Sequence, residues 1–118
     1  MEINLIKYRG AKGTAFTGRP QGEYVRKKIG LDEFDKKEGK VKVIIPDETT
    51  AFNPSFFLGL FFESIEKLGS VEKFENKYIL SNQIVDPEFK ELVNEDIEDG
   101  KRHARNELKD KGGLKIFM

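Results

Sequence analysis

The chain contains no cysteine, which removes disulfides, thiolate nucleophiles and thiolate zinc sites together. Without a disulfide framework no extracellular scaffold is implied, and a cytoplasmic setting is the expectation. Histidine occurs once, at His103, so no second imidazole or thiolate exists to complete a transition-metal site around it. Net charge is missing as well, because 21 basic side chains balance 21 acidic ones. A bulk polyanion binder needs a basic surface, so nucleic acid is not an expected partner. Long apolar runs are absent. The longest, residues 56–62, is far too short to span a bilayer, and the opening MEINLIKYRG lacks the basic segment and apolar stretch of a signal peptide. Neither a membrane nor a cofactor is implied.

What is present is abundant charge around clustered apolar residues. Charged side chains make up 36% of the 118 residues and hydrophobic ones 37%. Clustering at that composition favours a folded core with a charged exterior over disorder. The length suits one domain, residues 1–118.

Residues 2–8, EINLIKY, read as a first strand with Ile3 and Leu5 on one face. Residues 9–18 carry three glycines and read as a loop touching down at Ala15 and Phe16. Pro20 suits the first turn of a helix reaching about residue 29, with Gly30 just past its end. Tyr24, Val25 and Ile29 face inward in this reading, and Arg26, Lys27 and Lys28 face water. Residues 31–40 are polar, with room for a short helical turn anchored by Leu31 and Phe34. VKVIIP, residues 41–46, is the clearest strand: a β-branched run closed by proline.

Asn53 then caps a helix that begins on Pro54, runs to about residue 68 and stops at Gly69. Five of the ten phenylalanines fall in its lead-in and first turns, AFNPSFFLGLFF. A helix that is apolar on nearly every side is covered on more than one. Residues 74–81 read as a third strand, most clearly over 77–80. Asp86-Pro87 opens a last helix in which Phe89, Leu92, Val93, Ile97, Ala104 and Leu108 recur at helical spacing. Gly100 is its weak point, Gly112-Gly113 its end, and LKIFM a final strand or loose tail. No internal repeat, linker or low-complexity tract stands out. Alternating elements imply an α/β domain with a mixed or parallel sheet of about four strands and about three helices packed against it.

The chemistry is sparse. His103 lies in the polar stretch GKRHARNE and reads as a solvated residue, and no G-x-S-x-G elbow supports a nucleophilic triad. The carboxylates of residues 95–99 spread around a helix instead of converging on a metal. The glycines of RGAKGTAFTGRP match neither phosphate-loop pattern. Thr17, Gly18 and Arg19 nevertheless precede a helix, where backbone donors, dipole and guanidinium make a candidate anion site; an exposed arginine on a turn is the alternative. Ser55 sits in the first turn of the next helix, where unpaired amides favour negative charge. Its hydroxyl equally suits a capping role beside Asn53.

Taken together, AFTGRPQGEYVRKKI, VKVII and NPSFFLGLFFESIEKLG resemble a STAS-like domain, in particular STAS-like bacterial families of unassigned function. The resemblance spans roughly residues 14–85. It implies a sheet with helices alongside and a role in binding partners instead of catalysis. In the anti-sigma-factor antagonists an Asp-Ser-Ser-Gly segment opens the corresponding helix, and a partner kinase phosphorylates its first serine. Here that segment falls on Asn53, Pro54, Ser55 and Phe56, so proline stands at the acceptor position. This departure argues against phosphoregulation and leaves the fold implication intact.

The resemblance thus points to a non-catalytic regulatory module with a protein partner, a kinase-like ATPase or another regulator, docking at Asn53, Ser55, Phe56 and Phe57. A small-ligand, nucleotide or phosphate site at Thr17, Gly18 and Arg19 is the alternative. A homo-oligomer held by exposed phenylalanines is a third reading.

Overall fold

The computed structural model describes residues 1–9 and 13–117, with side chains up to Lys111. The Gly10 end of the glycine-rich loop and Met118 of the terminal LKIFM lie outside the described residues. The elements are β1 (Glu2–Asn4), a 3-10 turn (Leu5–Tyr8), β2 (Ala15–Phe16), α1 (Arg19–Ile29), α2 (Leu31–Lys36) and β3 (Val41–Ile45). They continue with β4 (Ala51–Phe52), α3 (Pro54–Leu68), α4 (Val71–Lys77), β5 (Tyr78–Asn82) and α5 (Pro87–Phe117). The molecule is an α/β domain, as its alternating elements imply.

β1, β3 and β5 form one sheet in that order, all parallel, with Ile3 opposite Val43 and Val43 opposite Leu80. Val41, Val43, Ile45 and Tyr78 are buried on one face, while Lys42 and Ile79, paired across the other, are exposed. Helices therefore cover one face of this sheet and leave its second face open. α3 packs against α1 on one side and α5 on the other, which accounts for Phe56, Phe57, Leu60, Phe61, Phe62 and Ile65 all being buried. The all-round apolar pattern of this helix has that physical basis.

Two glycines set the α1–α3 distance. A Cβ on Gly22 would strike the Phe56 carbonyl and stand 2.8 Å from Leu60 N; one on Gly59 would strike the Arg19 carbonyl and stand 2.9 Å from Glu23 N. The helices touch backbone to backbone, which larger residues forbid. Gly100, the weak point of the last helix in sequence terms, serves a similar purpose. A Cβ there would lie 2.6 Å from the Phe57 ring, so α5 crosses α3 through a notch.

Several sequence expectations are corrected. The first strand stops at Asn4 because its side chain accepts from Ile6 N at 3.0 Å and turns the chain into a 3-10 helix. Residues 74–77 are helical: Ser70 caps α4 by accepting from Lys73 N at 3.1 Å, and Val71 and Phe74 bury its inner face. α5 continues through Gly112 and Gly113 to Phe117, where an end followed by a strand or tail is expected. Phe89, Leu92 and Tyr24 are exposed instead of inward, whereas Arg26 is buried instead of solvated. Ala15–Phe16 and Ala51–Phe52, unassigned by local pattern, pair as a second parallel sheet. That pairing uncovers a repeat: Thr-Ala-Phe occurs at residues 14–16 and again at 50–52, each time shortly before a helix with proline in its first turn.

Candidate functional site

The two Thr-Ala-Phe segments lie side by side and bring two helix starts together. Thr50 N donates to Thr14 O at 2.7 Å, and Asn53 N donates to Phe16 O at 3.0 Å. The Thr14 and Thr50 hydroxyls share a hydrogen bond of 2.7 Å. Beneath them the rings of Phe16, Phe52 and Phe56 form a triangle with centroids 5.1–5.4 Å apart, Phe52 and Phe56 meeting edge to face and the other two pairs tilted. Asn53 Oδ1 then accepts twice, from Phe56 N at 2.9 Å and from Gly18 N at 3.2 Å. One carboxamide oxygen caps α3 and holds the residue that precedes α1. Gly18 takes a φ of 86° there, a conformation that glycine adopts without steric penalty.

Of the sequence-selected residues, Thr17 and Ser55 are exposed, and Gly18 and Asn53 are half-buried between them. These four form a continuous rim at the starts of α1 and α3. Phe56 and Phe57 are fully buried and belong to the core, so they present no docking surface. Arg19 does not join Thr17 and Gly18 around an anion. Its guanidinium turns to α5, where Nη1 and Nη2 reach the Glu107 carboxylate at 2.9 and 3.3 Å. It also lies over the Phe62 ring, 5.6 Å from the centroid. The bond to Glu107 raises the Arg19 pKa against the effect of burial, so the charge offered to an anion is already matched.

A second polar constellation lies further along the same helices. Arg26 Nη1 donates to Leu60 O at 3.0 Å and Ser64 Oγ at 2.8 Å. Its Nη2 donates to Asp32 Oδ1 at 2.8 Å and Asp35 Oδ2 at 2.7 Å. Tyr78 donates its hydroxyl proton to Asp35 Oδ1 at 2.5 Å, and Lys67 reaches Asp32 at 2.8 Å. Burial, aided by the bond to Asp35, pushes the Tyr78 hydroxyl well above its ordinary value. Lys67 and Arg26 hold the Asp32 carboxyl down at about 2. Nothing in Arg26-Lys27-Lys28 distinguishes the buried arginine from its solvated neighbours; its position among residues that bury α1, beside Val25, is the only local signal.

Among the described residues no group of three or more His, Asp or Glu side chains is arranged to hold a metal ion. His103 is exposed. Within the acidic run at 95–99, Asp96 faces Phe52 N at 3.4 Å and its pKa is raised by burial, whereas Asp99 pairs with Arg102. No helix among the described residues is long and apolar enough to cross a membrane. No family model matches the chain, and no curated protein or solved structure matches it either.

Proposed function

We propose that this chain is a cytoplasmic, non-catalytic STAS-like interaction module. It docks a protein partner on the rim formed by Thr17, Gly18, Asn53 and Ser55. The observation that carries the reading is the double bond of Asn53 Oδ1 to Gly18 N and Phe56 N, which fixes two helix starts in one exposed surface. The rim lies just beyond the carboxyl ends of the parallel strands β2 and β4, the side on which open α/β folds bind their partners and ligands. Phe56 contributes by stiffening the rim from below, whereas Phe57 packs away from it against Phe61 and Phe74, and Ser55 serves as contact instead of switch. The alternative, a phosphate or nucleotide at Thr17, Gly18 and Arg19, is disfavoured because Glu107 already occupies the guanidinium.

Site-specific photo-crosslinking in cells tests the proposal. A photoreactive residue at Thr17 or at Ser55 is expected to trap one and the same protein, and a probe at exposed Lys36 is not. Adding Ser55→Arg to the Thr17 probe abolishes that adduct. Adducts that are absent at both rim positions, or equal at Lys36, overturn the reading. A rise in melting temperature with phosphorylated metabolites favours the ligand alternative.

A further inference from the structure

We propose that the groove between α1, α2 and α3 is a second binding site, for a lysine- or arginine-bearing peptide segment. This goes beyond the rim reading and involves different residues. The groove holds about 390 Å³ and is lined by Glu23, Arg26, Lys27, Gly30, Asp32, Glu33 and Glu63. That volume suits one or two residues of a bound chain.

Arg26 lies at its floor with a side chain only 5% exposed. Four of its five N–H donors are used, on Leu60, Ser64, Asp32 and Asp35. The fifth, on Nε, is buried and makes no hydrogen bond. Glu63 Oε2 lies 3.5 Å from it, beyond the usual length of an N–H donor bond. A buried donor left without a partner is costly, and native proteins rarely keep one without a use. Glu63 is itself 60% exposed and rotates outward without disturbing the core. An incoming carbonyl oxygen then supplies the acceptor that Nε lacks.

The charge around the opening selects what accompanies that carbonyl. The Arg26 charge is answered by Asp35 and Asp32, and Lys67 adds a second cation to Asp32. Glu23 and Glu33 remain on the rim beside Lys27, and Glu63 pairs loosely with Arg26 from the outer side. Glu33 pairs loosely with Lys36 at 3.6 Å, and Glu23 makes no ion pair among the described residues. An anion entering here meets carboxylates on several sides. An ammonium or guanidinium is attracted by the same groups, which also gives it orientation and a faster approach. A peptide residue that carries both a backbone carbonyl and a cationic side chain satisfies both requirements at once.

Amide chemical-shift titration of the full chain provides the test, with N-acetyl-Ala-Lys-Ala-amide as the probe. The peptide is expected to move the amides of Glu23, Lys27, Gly30 and Glu63 and to saturate at millimolar concentration or below. The paired substitution Glu23→Gln with Glu63→Gln weakens binding by about tenfold, and added salt weakens it further. Both positions are exposed, so the variants fold. The glutamate analogue of the peptide produces no saturating shifts, and n-butylammonium, a cation of the same charge without a carbonyl, binds more weakly than the lysine peptide. Absence of saturation with the lysine peptide, equal binding of the glutamate peptide, equal binding of n-butylammonium, or unchanged affinity in the double variant each overturns the proposal. A failed crosslink at Thr17 and Ser55 leaves these outcomes untouched, so the two sites fail separately.

Discussion

α1 meets α3 in two different ways within two helical turns. At Gly22 and Gly59 the backbones touch with no side chain between them. One turn further on, the same helices are joined by a guanidinium that donates to Leu60 O and Ser64 Oγ and is matched by two aspartates. The first contact relies on close packing and the second on charge. The second also depends on the first: Arg26 reaches a main-chain carbonyl of α3 only because the glycines bring the axes so near. A dry contact thus sets the separation, and an ionic one exploits it.

Removing the charge is the most damaging way to break this pairing. Arg26→Met leaves Asp35, whose side chain is 3% exposed, without its main cation. The expected loss in urea denaturation is about 3 kcal/mol, the scale found when one partner of a buried pair is deleted. Gly59→Ala attacks the other half. Its Cβ displaces α1 at a cost of about 2 kcal/mol, after the better helix propensity of alanine is counted. Combined, the two are expected to cost less than their sum, because a helix pushed away has already weakened the arginine contacts. Strict additivity would show that the two halves are independent.

The smallest effect lies at the wet edge of the network. Asp32 is 59% exposed, and its folded pKa of about 2 lies below the unfolded carboxylate value. The stability it contributes is fully present above about pH 4 and is lost as the pH falls through about 2. Asp32→Asn should therefore flatten the acid limb of a stability–pH curve, with a small loss at neutral pH that vanishes as the pH falls through about 2. Parallel acid limbs for the two proteins would exclude this role for Asp32.

Local sequence carried α1, β3 and α3, because their caps, prolines and apolar spacing all act within one element. Asn53 and Ser55 were placed correctly at a helix start for the same reason. What was not legible depends on distant partners. Phe56 and Phe57 follow a Ser at a helix N-terminus, and nothing in that step shows which face meets α1 and α5. Arg26 looks like Lys27 until Asp32, Asp35 and Ser64 are in place around it. The two-residue strands exist only as each other's partner, with Phe16 opposite Phe52. Their shared Thr-Ala-Phe was a usable signal, found by comparing the two helix entries with one another. α4 was hidden because Phe74 and Tyr78, stacked 5.3 Å apart, belong to one aromatic run that crosses from helix to strand.

Each strand ladder described here is parallel, and this shapes how the chain comes together. Glu2 faces Lys42, and Val41 faces Tyr78, so every pairing joins positions about forty residues apart and none begins from a tight turn. During synthesis β1 has no strand to pair with until β3 has emerged, and β3 remains one-sided until β5 follows. Both helices of the glycine seam, α1 and α3, precede β5 in the chain, so their close contact is available for assembly before the last strand emerges.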